Sequence, residues 1–303
     1  MTRLVNWFLV QLFVFPPILG HQLLARLSKV LDMSNVAIIT GAGSGFGLGL
    51  TKKLLGEDWI VYGADISPDG LALLKSIGAH PLKVNVTSDS QVAAGVKKVI
   101  KEQGRIDVLV ANAGYGTFSS VEETTSEQVR AIFDVNVFGI ERFVKAVLPQ
   151  MRKQGSGRII ATTSVVAHVS LVGLGWYSGT KHAVRAMANA LRQEVRHLGI
   201  RVSTVEPGTS KTGFGALAFE TLDKSRSISD YDGVMRGLNK WLGGLYRISP
   251  GPKAVINKLH RAATAKRPRA HYPGSWDVVA LKLAFYLLPR KTLDALVLWL
   301  AKH

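Results

Sequence analysis

None of the 303 residues is cysteine, which excludes disulfides, thiolate metal sites and thiol nucleophiles. Histidine offers no substitute. The eight histidines are scattered along the chain without H-x-x-x-H spacing or an accompanying carboxylate cluster, so no metal is expected and ordinary surface or core roles suffice. Acidic residues are scarce, 21 against 38 Lys and Arg, giving a formal net charge of +17. The surplus is uneven: residues 240–303 hold twelve Lys and Arg against Asp277 and Asp294. A basic tail suits nucleic acid or an anionic bilayer. The chain has no recognisable basic-aromatic module, which excludes the first.

An unbroken apolar run of the roughly 20 residues that span a bilayer is also missing. The nearest approach, residues 4–19, is interrupted by Asn6 and Gln11 and nears its end at Pro16-Pro17. It lacks a small-residue cleavage site of the secretory type. With Leu23, Leu24, Leu27, Val30 and Leu31 interleaved by Arg26 and Lys29, residues 1–34 read as an arm lying in or dipping into one leaflet. Residues 275–303 add apolar runs flanked by Lys282, Arg290, Lys291 and Lys302 and read as a basic amphipathic extension. A membrane surface is therefore the expected partner, at the endoplasmic reticulum or another intracellular membrane. The alternatives are an arm that covers the partner in a homodimer, and a C-terminal helix pair docked on the domain's own core.

Between these ends, short apolar and β-branched runs recur at 36–40, 59–64, 81–86, 106–111, 157–163 and 200–205, with a weaker seventh near 269–272. Segments of helical period separate them, including 48–55, 91–101, 128–151 and 181–198. This alternation predicts an α/β fold with a doubly wound parallel sheet covered on both faces. No internal repeat, low-complexity tract or interdomain linker is visible, so residues 35–274 form one catalytic domain. Periodicity fades after Gly208 while Gly, Ser and Lys accumulate. Residues 208–268 read as an insertion over the ligand crevice.

The first strand runs into Gly41, Ala42, Gly43, Ser44, Gly45, Phe46 and Gly47, then into a helix. Glycines permit a tight turn and close approach to a pyrophosphate, whose charge meets the free N–H groups of the helix start. The strand before and the helix after give this loop its meaning. Asp65 follows Gly47 by eighteen residues at the end of the second strand, where a carboxylate accepts from ribose hydroxyls and repels a 2′-phosphate. Neither Ser44 nor Ile66 is basic, so NAD is expected over NADP. Tyr177 and Lys181 share one helix face at a separation of four. Positive charge from Lys181 and an oxidised nicotinamide favours the phenolate of a side chain whose ordinary pKa is ~10. Ser164 suits a hydrogen bond to the substrate oxygen, and Asn136 a water continuing a proton path past Lys181.

The ordered set Thr40-Gly41-x-x-x-Gly45-x-Gly47, Asn112-Ala113-Gly114, Asn136, Ser164, Tyr177-x-x-x-Lys181 and Pro207-Gly208 resembles the short-chain dehydrogenase/reductase family. The match is dense over residues 35–208 and extends loosely to Tyr272-Pro273-Gly274. The resemblance implies a seven-stranded Rossmann-type core and a catalytic tetrad of Asn136, Ser164, Tyr177 and Lys181. It adds Asn85, Val86, Thr209 and Thr212 to the cofactor contacts. Asn85 stands where the family has Asp facing the adenine, though its amide oxygen remains an acceptor. Ser210 stands where a β-branched apolar residue is usual, and Trp176 is a candidate wall of the substrate crevice. The Ser-Gly-Phe-Gly turn, the arm and the basic extension look most like membrane-associated retinol and hydroxysteroid dehydrogenases. The implied function is hydride transfer between NAD(H) and a lipophilic alcohol or ketone. A membrane scaffold that binds NAD without turnover is the alternative, and the intact Tyr/Lys pair argues against it.

Overall fold

Strand β1 (Val36–Thr40) is buried along its whole length, with no alternation between faces. Such a strand belongs in the middle of a sheet covered on both sides. The computed structural model, which describes residues 34–210, 228–249 and 251–300, places it there. The other strands are β2 (Ile60–Asp65), β3 (His80–Lys83), β4 (Val108–Ala111), β5 (Gly157–Thr162), β6 (Ile200–Glu206) and β7 (His271–Pro273). All pair in parallel, in the order β3-β2-β1-β4-β5-β6-β7. The order reverses between β1 and β4, and ligands of such sheets bind at the carboxyl ends beside that reversal. The expected Rossmann-type sheet is present. Residues 1–33, and with them the expected anchoring arm, lie outside the described residues, as does Thr212.

Helices α1 (Gly45–Leu55), α2 (Pro68–Ser76), α3 (Asp89–Gln103), α4 (Ser126–Phe133), α5 (Gly139–Gln154) and α6 (Gly175–Val195) connect the strands. Three of these starts are legible locally: Ser67 and Ser88 accept backbone N–H bonds at the heads of α2 and α3, and Thr125 with Gln128 closes a capping box on α4. The helical period over 128–151 is one stretch in sequence but two helices in space. A π-helical turn, Asp134–Phe138, interrupts it and carries Asn136. Such turns add a residue to the spiral and rotate the side chains that follow.

Residues 208–268, read as an insertion over the crevice, are more regular than their fading periodicity suggests. They contain α7 (Asp232–Ile248) and most of the stretch that follows is α8 (Lys253–Thr264). Glycines at 233, 237, 243 and 244 hid the period of α7, since glycine is a poor helix former on its own. Tertiary packing offsets that weakness: Met235, Leu238 and Leu242 are buried against Phe118, Leu171 and Leu174. Helix α8 does not cover the crevice. It lies on α1, so close that a Cβ on Gly49 would come within 2.2 Å of Ile256 Cδ1, and its Val255, Leu259, Ala262 and Ala263 join the core beneath β1 and β4.

The C-terminal segment forms α9 (Trp276–Leu287) and α10 (Arg290–Leu300). Val278 and Leu293 are buried, and Leu281, Phe285 and Val297 pack on the cluster that includes α7. Other side chains of the two helices, Val279, Leu283, Tyr286, Leu287 and Trp299, are exposed. Among the described residues no helix is long and apolar enough to cross a membrane.

Candidate active site

The turn after β1 is shaped for a ligand. Gly41 and Gly45 hold left-handed φ values of +62° and +50°, a region that side chains with a Cβ avoid. A Cβ on Gly47 would sit 2.2 Å from Gly41 O, so the first turn of α1 nests against the loop only as glycine. The N-cap Ser44 makes no side-chain cap and the first turn carries no acid, which leaves the helix N–H groups and their partial positive charge facing the crevice. Asp65 closes the loop from β2: its two carboxylate oxygens accept from Gly43 N (2.8 Å) and Ser67 N (2.9 Å). It therefore shapes the loop and also stands at its edge.

Asn112 stitches three strands together. Its Nδ2 donates to Thr40 O and Gly41 O, its Oδ1 accepts from Thr162, and Thr40 Oγ1 accepts the N–H groups of Asn112 and Ala113 at 2.9 Å each. The hydroxyl of Thr40, which heads the ordered motif set, and that of Thr162, which lies outside it, tie this crossing down. The signal for Thr162 was faint: a hydroxyl at the last position of an apolar strand.

The expected tetrad assembles at one end of the sheet. Tyr177, Lys181 and Ser164 are all buried, and Asn136 is wholly so. The Tyr177 phenol and the Ser164 hydroxyl are hydrogen-bonded. Lys181 Nζ donates to Thr162 O at 3.1 Å and lies 5.7 Å from the centre of the Tyr177 ring. Asn136 differs from its expected role. Its Oδ1 accepts from Tyr115 N, and its Nδ2 donates to Tyr115 O and Thr180 Oγ1. The side chain is engaged on every donor, and what it does is clamp the crossing after β4 onto α6. Gly114 fits beneath it because a Cβ there would meet Asn136 Oδ1 at 2.8 Å.

Electrostatics run against the expected phenolate. Burial pushes the Tyr177 phenol well above its ordinary value, and the Ser164 hydrogen bond only partly opposes this. Burial also pushes Lys181 down, to about 8. Desolvation dominates because both groups are enclosed, and both shifts favour the neutral forms.

Above the tetrad lies a cavity of about 870 Å³. Its lining includes Gly41, Ser44, Gly45, Phe46, Asn112, Ala113 and Gly114 on one side, with Pro207, Gly208, Thr209 and Ser210 beside Ser164, Tyr177 and Lys181. Trp176 is not in the lining; its indole N–H turns away to Val121 O. The tryptophans that do wall the cavity are Trp241 of α7 and Trp276 of α9, which sequence periodicity could not aim. Asn85 and Val86 stand outside the lining. The Asn85 oxygen already accepts from both the N–H and the hydroxyl of Thr87, so its Nδ2 is the group it offers. Val86 packs where a Cβ on Gly139 would fall.

Comparison with known proteins places these features. The family described as short chain dehydrogenase matches residues 35–223. An uncharacterized oxidoreductase of Escherichia coli, YbbO, is 30% identical over 273 residues, covering 89% of this chain and 95% of that one. A 3-ketodihydrosphingosine reductase of Bacteroides thetaiotaomicron is 39% identical over 180 residues, 59% of this chain and 65% of the relative. Among solved structures, a short-chain dehydrogenase/reductase of Burkholderia phymatum in complex with NAD superimposes with a TM-score of 0.71 at 25% identity, covering 82% of this chain and 92% of the other.

Proposed function

This chain belongs to the short-chain dehydrogenase family, and from that premise we propose that it transfers a hydride between NAD(H) and a lipophilic alcohol or ketone, in the class of retinoids, steroids and other lipids. The observation that carries the reading is the buried Ser164–Tyr177–Lys181 group at the floor of a cavity whose far walls are Phe118, Leu171, Leu174, Trp241, Leu242 and Leu281. A polar floor under apolar walls suits a molecule with one reacting oxygen and an otherwise hydrocarbon body. The relative named for reducing 3-ketodihydrosphingosine, a ketone on a lipid, supports the same class.

The glycine turn and the uncapped start of α1 fit a pyrophosphate, and Asp65 fits a ribose without a 2′-phosphate. The nicotinamide, when bound, supplies or accepts the hydride. In reduction the Tyr177 hydroxyl gives its proton to the carbonyl oxygen, and Ser164 holds that oxygen by a hydrogen bond. Lys181, charged below a pH of about 8, stabilises the negative charge that develops on Tyr177 as the proton leaves. Reduction therefore holds steady below that pH and falls above it, as Lys181 loses its charge.

Turnover of 2-butanone, 2-octanone and 2-dodecanone with NADH and with NADPH tests the reading. The efficiency kcat/KM rises with chain length and is higher with NADH. Absence of turnover with every ketone and both cofactors, and with the matching alcohols and NAD+ or NADP+, overturns it. The reading also places the enzyme on a bilayer. Support comes from the exposed apolar side chains of α9 and α10, Trp276 and Trp299 among them, together with the exposed bases Arg290 and Lys291 at the start of α10. Full-length protein co-sediments with phosphatidylcholine vesicles, more strongly when phosphatidylserine is added. A supernatant that retains all the protein in both cases removes the bilayer from the proposal.

A further inference from the structure

A buried carboxylate without a task in hydride transfer stands at the end of β6. Glu206 is 0% exposed. Three basic side chains from three other segments converge on it: Lys282 Nζ of α9 at 2.7 Å, His168 Nε2 at 3.0 Å and His271 Nδ1 of β7 at 3.5 Å. Burial alone would raise the carboxyl, but these three neighbours outweigh it and hold the group far below the usual carboxylate range.

The connections matter because of what each segment carries. Glu206 is followed directly by Pro207, Gly208, Thr209 and Ser210, which line the cavity. Pro207 O accepts from Val165 N at 2.8 Å, next to Ser164. Helix α9 supplies Val278, Leu281 and Ala284 to the opposite wall. One carboxylate thus ties the floor of the site to its roof.

Apolar contact could have packed α9 here as well, since a buried ion pair adds little net stability over well-fitted hydrocarbon. An ion pair adds direction. Hydrophobic burial tolerates a helix that slides or rolls, whereas a 2.7 Å contact fixes both register and rotation. That constraint has value on α9, which is apolar on the inside and on the outside, where Val279, Leu283, Tyr286 and Leu287 are exposed. The sequence of the helix alone does not say which face goes in.

We propose that the Lys282–Glu206 ion pair is a latch that sets α9 over the substrate cavity, making both groups positioning residues for substrate affinity and not for chemistry. The kinetic part of the test rests on the dehydrogenase reading; the exchange part does not. Lys282→Met keeps most of the length of the side chain and removes its charge. With 2-dodecanone and NADH the variant shows KM raised about tenfold, with kcat and the Kd for NADH each within about twofold of wild type. Lys282→Arg restores KM to within about threefold, because it retains the charge.

Hydrogen exchange read by mass spectrometry shows residues 276–287 exchanging faster in Lys282→Met, with α6 unchanged. A folded Lys282→Met protein with wild-type KM and wild-type exchange over 276–287 overturns the latch. So does a loss of kcat and NADH affinity in step with KM, which marks general collapse of the site. If Lys282→Met fails to fold, the double variant Glu206→Gln/Lys282→Met, which leaves no unpaired buried charge, carries the same comparison. Wild-type protein that turns over neither the ketones nor the matching alcohols with either cofactor defeats the dehydrogenase reading, and exchange over 276–287 then decides the latch by itself.

Discussion

On one side of the cavity the wall is main chain and short polar groups: the Gly41–Gly47 turn, bonded to Asp65 of β2, the start of α1, and the Asn112 crossing, bonded to Thr40 of β1 and Thr162 of β5. On the other side the wall is large side chains of α7 and α9, among them Trp241, Leu242, Tyr246 and Leu281. The first wall presents donors at fixed points and suits a ligand whose charges never vary. The second presents volume and apolar surface, and discriminates by size and shape. Recognition by backbone donors is all or nothing, whereas a hydrophobic pocket grades its ligands by a few methylenes at a time. The two walls predict different responses to mutation.

Tyr177 stands where the walls meet, so its removal separates binding from chemistry and has the largest effect. Tyr177→Phe lowers kcat by roughly 10²- to 10⁴-fold, the range for loss of a positioned proton donor. NADH affinity, read by fluorescence titration, stays within about threefold. Wild-type turnover in this variant would remove the proton-transfer assignment and leave the comparison without its hinge.

A smaller change tests the main-chain side. Asp65→Ser removes the carboxylate that the proposed function sets against the adenine ribose, and the ratio of kcat/KM with NADH to that with NADPH narrows about tenfold, or about 1.4 kcal/mol. Because Asp65 also accepts from Gly43 and Ser67, NADH affinity itself declines in the same variant. An NADPH preference already present in the wild type contradicts both the sign and the placement.

The side-chain wall gives the mildest response. Leu242→Ala raises KM for 2-dodecanone about three- to tenfold and leaves KM for NADH unchanged, since only hydrocarbon contact is lost. The buried position costs about 2 to 4 kcal/mol in chemical denaturation. Equal damage to cofactor and substrate parameters would mean that the two walls do not act separately.

Legibility followed the same division. Glycine spacing, the Tyr177-x-x-x-Lys181 interval and the placing of Asp65 could be read from sequence because each depends on local geometry: a turn, a helix face, a strand end. Asn136 was legible as a position but not as a role, because the π-helical turn and the three bonds to Tyr115 and Thr180 are tertiary. Trp176 was a reasonable wall by proximity to Tyr177, yet its ring turns to Val121. Lys282, read as part of a basic flank, faces inward to Glu206. His168 and His271, read as scattered, meet at that same carboxylate from segments about a hundred residues apart. An acid directly after the run 200–205 was the available signal, since a buried charge requires partners.

By itself the sequence determined the parallel αβ sheet, the glycine turn and the Ser164, Tyr177 and Lys181 group, because strand periodicity, turn stereochemistry and helix spacing act over a few residues. Only the tertiary structure decided that burial raises the Tyr177 phenol, that Trp241 and Trp276 wall the cavity, and that Lys282 of α9 meets Glu206. Those outcomes depend on desolvation and on contacts between segments distant in the chain, and neither is encoded in any local pattern.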